Sequence, residues 1–222
     1  MTEYWESSFL GMRTSWGYEP SDSAILSKNF LLEEKAKEIL IPGIGYGRNA
    51  KIFSDNGFKV TGIEISKTAI DLARNEMGLD FKIHHGSVTE MPFDENIYDA
   101  IFCYALIHLL NYSERKKFIQ DCFNQLKPNG YMIFTVVSKK MSLYGNGKRL
   151  SKDRFEIAKG LSVFFYDTES AKQEFEKYGL LEISEIDEPI KHIDNEPPIK
   201  CLLIKCKRID QNEGYLTNTT GL

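Results

Sequence analysis

Three glycines with a G-x-G-x-G spacing, Gly43, Gly45 and Gly47, follow an apolar segment at residues 38–41 that predicts a β-strand. Glycine has no Cβ, so it can adopt positive φ and let a ligand approach its backbone. A strand that leads into a glycine-rich turn and then a helix is typical of the site where open α/β sheets bind nucleotides. Such a turn can also merely connect a strand to a helix, so the interpretation needs support from other residues.

The spacing of the glycines separates two kinds of nucleotide site. The dinucleotide fingerprint is G-x-G-x-x-G, and its third glycine lets the following helix pack closely on the strand. In this chain Arg48 occupies the position of that third glycine. A long charged side chain does not suit the close packing of a pyrophosphate site. The pattern therefore favours a nucleoside ligand without a pyrophosphate.

A carboxylate follows at the distance that a nucleoside site needs. Glu64 ends the second predicted strand, 21 residues after Gly43. An acid at the end of this strand can accept hydrogen bonds from both hydroxyls of a ribose. The alternative is an exposed loop glutamate without a ligand. The glycine loop at the expected distance favours the ribose site.

Short β-branched segments alternate with amphipathic ones along the chain, which is typical of a doubly wound α/β fold. Continuous apolar strands favour a parallel sheet that is covered on both faces. The two last strands have no helix between them and are predicted to pair as an antiparallel hairpin at the sheet edge. Predicted strands are residues 38–41, 58–63, 79–84, 97–104, 131–137, 180–186 and 199–206, and predicted helices are residues 48–56, 66–77 (capped by Ser66), 113–126 (capped by Ser113) and 168–178.

These elements predict one domain over residues 1–208, built on a mostly parallel seven-stranded sheet. Within it, residues 1–35 are expected to form a helical lid and residues 36–140 the cofactor-binding core. Residues 141–208 are expected to supply a loop, a helix and the C-terminal strands, with a polar surface loop over residues 139–160. Residues 209–222 are polar and predict a disordered tail.

Composition and charge exclude several other classes of protein. The chain has 222 residues, of which 42% are hydrophobic, and this is too apolar for a disordered protein. A net charge of -4 argues against a nucleic-acid partner bound by bulk positive charge. No segment approaches the ~20 apolar residues of a membrane span, and the N-terminus lacks the pattern of a signal peptide. The four scattered cysteines predict reduced thiols in a cytoplasmic protein and no metal site.

The glycine loop, Glu64 and three later segments together resemble class I S-adenosylmethionine-dependent methyltransferases. The later segments are residues 86–93, 97–109 and 126–133. The resemblance implies S-adenosyl-L-methionine as the cofactor, a Rossmann-like methyltransferase fold and a small-molecule methyl acceptor. It also implies a role for each matching residue: Gly43, Ile44, Gly45 and Gly47 line the methionine and ribose portion, Glu64 holds the ribose, Ile65 packs on the adenine face, Ser87 and Val88 meet the adenine edge, and Cys103 and Tyr104 close the pocket near the sulfonium.

Two positions depart from the family pattern. Ile41 stands where the family commonly has an acid, two residues before the first glycine, and Ser87 stands where it commonly has an aspartate. At Ile41 the polar contacts of that position are missing, and at Ser87 the adenine amine would meet a neutral hydroxyl. Both changes predict weaker or differently arranged cofactor binding.

The N-terminal segment around Trp16 resembles the aromatic lid of thiopurine, thiol and halide methyltransferases. That likeness implies that Trp16 covers the sulfonium, because an indole face stabilises a cation. It also places a thiol or another soft nucleophile among the candidate methyl acceptors. The alternative is that Trp5 and Trp16 only anchor the N-terminal helix on the core.

The candidates for catalysis are His108 and Tyr104, which lie at the end of the fourth predicted strand. A histidine can act as a base near neutral pH, and the alternative for His108 is a structural hydrogen bond at a helix start. Three other functions stay open: an NAD-dependent oxidoreductase, a non-catalytic S-adenosylmethionine-binding module, and aminopropyl transfer from the decarboxylated cofactor. The sequence does not determine the oligomeric state.

Overall fold

The computed structural model describes residues 2–190 and 197–209. Helices and strands alternate over most of this length, as the sequence predicts. The helices are α1 (Thr2–Met12), α2 (Asp22–Glu33), α3 (Arg48–Asp55), α4 (Lys67–Asn75), α5 (Tyr112–Asn124) and α6 (Thr168–Phe175). The strands are β1 (Glu38–Pro42), β2 (Lys59–Glu64), β3 (Lys82–His85), β4 (Tyr98–Tyr104), β5 (Leu126–Val137), β6 (Lys148–Ser151), β7 (Arg154–Ala158), β8 (Leu161–Phe164), β9 (Leu180–Glu188) and β10 (Ile199–Lys207).

Seven strands form one sheet in the order β3-β2-β1-β4-β5-β10-β9. The first five are parallel, and β10 is antiparallel to both β5 and β9. The prediction of a mostly parallel seven-stranded sheet with an antiparallel edge hairpin is therefore confirmed. The chain moves outward from β1 to β3 and then returns to place β4 on the other side of β1. Open α/β sheets bind ligands where the strand order reverses in this way.

Apolar side chains cover both faces of the sheet, which explains why the parallel strands are nearly continuous in apolar residues. Alternate residues of β4 point to opposite faces. Ile101 and Cys103 belong to the cluster beneath α5 and α6, with Phe118 and Phe175. Phe102 belongs to the cluster on the other face. The fold thus fixes which residues of β4 can reach the ligand-binding edge.

The cap of helix α5 (Tyr112–Asn124) is Asn111, two residues before the predicted cap Ser113. The Asn111 side chain accepts a hydrogen bond from the backbone N–H of Glu114 at 3.0 Å, and the Glu114 carboxylate accepts one from the N–H of Asn111 at 2.7 Å. This capping box satisfies two N–H groups that the helix itself leaves unpaired. The Ser66 cap of α4 is confirmed, since its hydroxyl accepts a hydrogen bond from the Ala69 N–H.

The polar surface loop predicted for residues 139–160 is wrong over its second half. Strands β6, β7 and β8 form a separate three-stranded antiparallel sheet. Phe155 and Val163 on its inner side pack with Phe165 and Leu109. All four residues of β6 are exposed. This polar strand gives the segment the composition of a loop, although the small sheet also has an apolar inner side.

Among the described residues, no helix is both long and apolar enough to cross a membrane. Except for Ile209, the predicted tail at residues 209–222 lies outside the described residues. The single-domain boundaries at residues 1–208 stay a prediction.

Candidate functional site

A cavity of about 590 Å³ opens at the carboxyl ends of β1, β2 and β4. Its volume falls within the range of ~300–1,000 Å³ that is usual for small-molecule sites. Nearly every residue proposed from the sequence lines it: Trp16, Gly43, Ile44, Gly45, Gly47, Glu64, Ile65, Ser87, Val88, Tyr104 and His108. The sheet therefore brings together residues that are far apart in the chain.

The glycine loop forms one wall of this cavity and depends on glycine for its conformation. Gly43 has φ of 68° and Gly45 has φ of 58°, which is the left-handed region that other residues enter at a cost. A Cβ on Gly43 would lie 2.2 Å from Cδ1 of Leu106. The loop following β4 thus packs directly on the backbone of the glycine turn.

Glu64 lies beneath the glycine loop and is only 5% exposed. Its carboxylate accepts hydrogen bonds from the N–H groups of Gly45 at 2.8 Å and of Ile65 and Ser66 at 2.9 Å. Burial raises the pKa of this carboxyl, while the three N–H donors oppose the shift. A carboxylate offers about four acceptor positions, so capacity remains for a ribose hydroxyl. The structure adds a second role that the sequence did not indicate, because Glu64 also holds the loop in place.

The side chains that line the part of the cavity next to β1 and β3 are small or apolar. The Ser87 hydroxyl lies 2.8 Å from the Thr89 hydroxyl and caps the short 3₁₀ helix Val88–Glu90. Val88 is 6% exposed. Ile41, at the position where an acid is common in the resembled family, is 2% exposed and also lines the cavity. At these two departures from the family pattern, the lining is therefore a neutral hydroxyl at Ser87 and an apolar side chain at Ile41.

Residues 13–19, which we call the strap, lie over the glycine loop. Trp16 stacks on Tyr46 with ring centroids 6.3 Å apart and an interplanar angle of 8°. The Tyr46 hydroxyl donates a hydrogen bond to the carbonyl of Gly17 at 2.6 Å. Arg48 Nη1 donates to the carbonyls of Trp16 and Glu19, each at 3.1 Å. Tyr46 and Arg48, which sequence analysis did not connect with the N-terminal segment, thus fasten the strap.

Tyr104 and Cys103 at the end of β4 have different positions. Tyr104 lines the cavity, and the Arg48 guanidinium carbon lies 5.7 Å from its ring centre. Cys103 is fully buried and does not line the cavity, so its predicted place near the sulfonium is wrong. Successive side chains of a strand point to opposite faces, and Cys103 therefore points into the core. Burial raises the pKa of its thiol to about 12.

His108 lines the cavity from the short 3₁₀ helix Ile107–Leu109 and is 4% exposed. Its Nδ1 accepts a hydrogen bond from the Val137 N–H at 3.4 Å. Burial lowers the pKa of His108 to about 3. The imidazole is therefore uncharged at neutral pH, and its low pKa makes it a poor proton acceptor. The alternative interpretation of His108, a structural hydrogen bond at a helix start, thus accounts for Nδ1 but leaves Nε2 without a role.

The other end of the cavity has a wall that the sequence analysis missed. The β6–β8 sheet and the segment between β5 and β6 close this end with apolar side chains. The alternation of Leu161, Val163 and Phe165 is a period-two signal that could have predicted the strand. We call this surface the apolar wall, and its residues are Leu109, Val137, Met141, Ile157, Leu161, Val163 and Phe165.

Two arginines hold the apolar wall in place. Arg115 makes a bidentate ion pair with Glu174 at 2.8–3.1 Å, and both side chains are almost fully buried. Arg115 also donates to the carbonyl of Leu110 at 3.1 Å, and its guanidinium lies 3.9 Å from the ring centre of Phe164 in β8. Arg154 in β7 donates to the same Leu110 carbonyl. The loop after β4 and the small sheet are thereby joined.

Among the described residues, no group of three or more His, Cys, Asp or Glu side chains is arranged to hold a metal ion.

Comparison with known proteins agrees with this geometry. The family described as "Methyltransferase domain" matches residues 40–134, which run from β1 to β5 and include the glycine loop, Glu64 and His108. The seven-stranded sheet is the Rossmann-like fold of class I S-adenosylmethionine-dependent methyltransferases. Residues 40–134 thus match a methyltransferase domain, and the sheet that contains them has the fold of this class.

Individual relatives match only part of the sequence but most of the fold. A ubiquinone biosynthesis O-methyltransferase of Coxiella burnetii is 25% identical over 113 residues, or 50% of this chain and 47% of that protein. The chain thus spans about half the length of this relative. A 1,6-didemethyltoxoflavin-N1-methyltransferase of Burkholderia thailandensis, solved with its substrate and S-adenosylhomocysteine, has a TM-score of 0.71 at 15% identity, covering 94% of this chain and 87% of that one.

A second solved structure is equally similar in fold. It comes from work on the conversion of a disulfide bond into a thioacetal group during echinomycin biosynthesis. Its TM-score is 0.71 at 18% identity, and the match covers 96% of this chain and 95% of that one. The similarity in fold thus extends beyond residues 40–134 and covers 96% of the chain.

Proposed function

We propose that the protein transfers the methyl group of S-adenosylmethionine to a small, largely apolar ring compound. The observation that carries this proposal is a single cavity with two unlike ends. One end has the glycine loop and a buried carboxylate, and the other has the apolar wall. A nucleoside cofactor suits the first end and an apolar methyl acceptor suits the second.

The residues of the polar end fit the cofactor. Gly43 and Gly45 both line the cavity at positive φ and expose their backbone, and Glu64 retains an acceptor position for a ribose hydroxyl. Arg48 is the only Lys or Arg side chain among the described cavity-lining residues, so we propose that it lies near the methionine carboxylate. When bound, the cofactor supplies a methyl group already activated by a sulfonium cation. The protein then has mainly to orient the acceptor.

The apolar wall supports a ring compound more directly than a thiol. Apolar side chains recognise an acceptor by burying its surface, which favours a planar, weakly polar molecule. The relative from Coxiella is named for an O-methylation in ubiquinone biosynthesis, and the Burkholderia enzyme was solved with the heterocycle 1,6-didemethyltoxoflavin. These names agree with a ring as the acceptor. A cytoplasmic location and the absence of a nucleic-acid or membrane partner stay predictions.

A non-catalytic binding module and an NAD-dependent oxidoreductase are the competing functions. Arg48 occupies the position of the third fingerprint glycine and holds the strap through two backbone carbonyls, whereas the dinucleotide fingerprint has a glycine there for close packing of helix and strand. Turnover with S-adenosylmethionine distinguishes an enzyme from a module. A screen of phenols, quinols, thiols and amines, read by formation of S-adenosylhomocysteine, addresses the acceptor.

The test of the cofactor site is calorimetric titration with S-adenosylmethionine and S-adenosylhomocysteine. We expect both to bind and Glu64→Ala to weaken binding by about 1.5–3 kcal/mol through lost charge-assisted hydrogen bonds. Because Glu64 also supports the loop, Glu64→Gln is the sharper variant, since it keeps the volume of the side chain. Glu95→Gln is the matched control, because Glu95 is exposed.

Two results would contradict the proposal at different points. If neither compound binds to the folded protein, the assignment of the cofactor is wrong. If both bind with unchanged affinity in folded Glu64→Gln and Glu64→Ala, the ribose lies elsewhere in the cavity.

A further inference from the structure

The hydrogen bond of His108 fixes which of its ring nitrogens carries a proton. Nδ1 accepts a hydrogen bond from the Val137 N–H, so Nδ1 carries a lone pair and no proton. A neutral imidazole carries one proton, and this proton must then be on Nε2. His108 is therefore a hydrogen-bond donor at Nε2.

No group in the described part of the chain accepts a hydrogen bond from the Nε2–H of His108. Nδ1 has the only hydrogen bond seen for the ring, and the side chain is 96% buried while lining the cavity. Nε2 is also not one of the enclosed unpaired side-chain atoms of the described residues, which agrees with a donor that faces the cavity. This donor is therefore available to an acceptor atom of a bound molecule.

The surroundings of His108 indicate the kind of atom. Leu109, Leu110 and Val137 beside it are apolar, and the nearby Glu114 carboxylate is used by the capping box of α5. The two arginines of this region, Arg115 and Arg154, are directed to backbone carbonyls and to Glu174. His108 therefore supplies a directed polar contact in an otherwise apolar part of the cavity.

We propose that His108 is a substrate-positioning residue whose Nε2–H donates a hydrogen bond to an oxygen of the methyl acceptor, either a ring carbonyl or a phenol oxygen. The proposal rests on the proposed function and narrows the acceptor to oxygen-bearing ring compounds. It replaces the role of base that the sequence suggested. In this tautomer Nε2 has no lone pair for a proton, so His108 orients the acceptor oxygen and does not deprotonate it.

The tautomer can be measured without knowing the acceptor. Long-range ¹H–¹⁵N correlation spectra of protein labelled with ¹⁵N-histidine distinguish protonated from unprotonated ring nitrogens. The expected result is a proton on Nε2 alone between about pH 5 and 8. A proton on Nδ1 alone, or a ring that becomes doubly protonated near its usual pKa of about 6.5, would overturn the proposal.

The hydrogen bond itself is tested with two probes of one shape, 2-naphthol and 2-methylnaphthalene, added to protein saturated with S-adenosylhomocysteine. His108→Leu should weaken 2-naphthol binding about three- to tenfold and leave 2-methylnaphthalene binding unchanged, as expected for one neutral hydrogen bond. His108→Gln, whose amide is also a donor, should keep most of the preference for 2-naphthol. Equal weakening of both probes in His108→Leu would show a merely structural role.

The two proposals fail in distinguishable ways. Absence of S-adenosylhomocysteine binding to the wild type would reject the methyltransferase function. Normal S-adenosylhomocysteine binding together with 2-naphthol affinity that is indifferent to His108→Leu would reject only the role of His108.

Discussion

The two ends of the cavity are built in different ways. At the polar end, where we propose that the cofactor binds and which we call the cofactor end, the wall includes the backbone of a short glycine turn and one carboxylate, and these come from two neighbouring strands. At the other end, where we propose that the methyl acceptor binds and which we call the acceptor end, the apolar wall combines the loop after β4, the end of β5 and a separate small sheet. A cofactor that many enzymes have in common is bound by a fixed backbone geometry. A methyl acceptor is selected by the shapes of side chains, and many different sequences can form such a surface.

The ends also differ in what stabilises them. The glycine loop is held by hydrogen bonds to Glu64 and by the strap. The apolar wall depends on a buried ion pair, Arg115–Glu174, to which the Tyr166 hydroxyl donates at 2.7 Å. Buried ion pairs are sensitive to the loss of one partner, because the other charge is then left unpaired. The acceptor end should therefore be the easier one to damage without touching the cofactor.

The largest effect is expected from Arg115→Met. This change leaves the Glu174 carboxylate buried without its partner and should lower the free energy of unfolding by about 3–5 kcal/mol. Denaturant titration measures the loss. In protein that remains folded, S-adenosylhomocysteine affinity should stay close to that of the wild type. Lys116→Met is the control, since Lys116 is exposed on the same helix, and equal stability of the two variants would contradict this account.

A smaller effect is expected from pH. The folded-state pKa of His108, about 3, lies below its unfolded value, so its contribution to stability is present above pH ~6.5 and is lost as pH falls toward ~3. Below pH ~6.5 the wild type should lose about 1.4 kcal/mol per pH unit relative to His108→Leu. Urea titrations of both proteins at several pH values measure this difference. Parallel pH profiles for the two proteins would show that His108 is not buried uncharged.

The smallest effect concerns the cofactor end. Tyr46→Phe removes the hydroxyl that donates to the Gly17 carbonyl but keeps the ring beneath Trp16. Loss of this hydrogen bond should loosen the strap by about 0.5–1.5 kcal/mol, observed as weaker S-adenosylhomocysteine binding by calorimetry. Tyr112→Phe is the matched control, because Tyr112 is exposed and lies outside both the strap and the lining of the cavity. An equal effect of both changes would argue that the strap does not cover the cofactor.

Local rules predicted the cofactor end well, because it depends on short stretches of chain. Gly43 and Gly45 adopt the positive φ that their spacing suggested, and Glu64 lies beside the loop at the end of β2. Ser66 caps α4 as predicted. These features follow from residue type and from the parallel pairing of adjacent strands.

Two errors show where local rules stop. The family resemblance implied that Cys103, like Tyr104, closes the pocket, yet a strand sends neighbours to opposite faces, and Cys103 is in the core. Residues 139–160 were expected to be a polar surface loop, yet residues 148–164 form three strands, and their apolar side packs against distant residues such as Leu109. Burial, not local propensity, decides both cases.

The sequence by itself determined the doubly wound sheet, the glycine turn and the carboxylate that serves it, because hydrophobic periodicity and glycine conformation act over a few residues. Only the tertiary structure decided the tautomer of His108, the fastening of the strap by Tyr46 and Arg48, and the shape of the apolar wall. Each of these depends on a contact between segments far apart in the chain. Such contacts exist only once the sheet has brought those segments together.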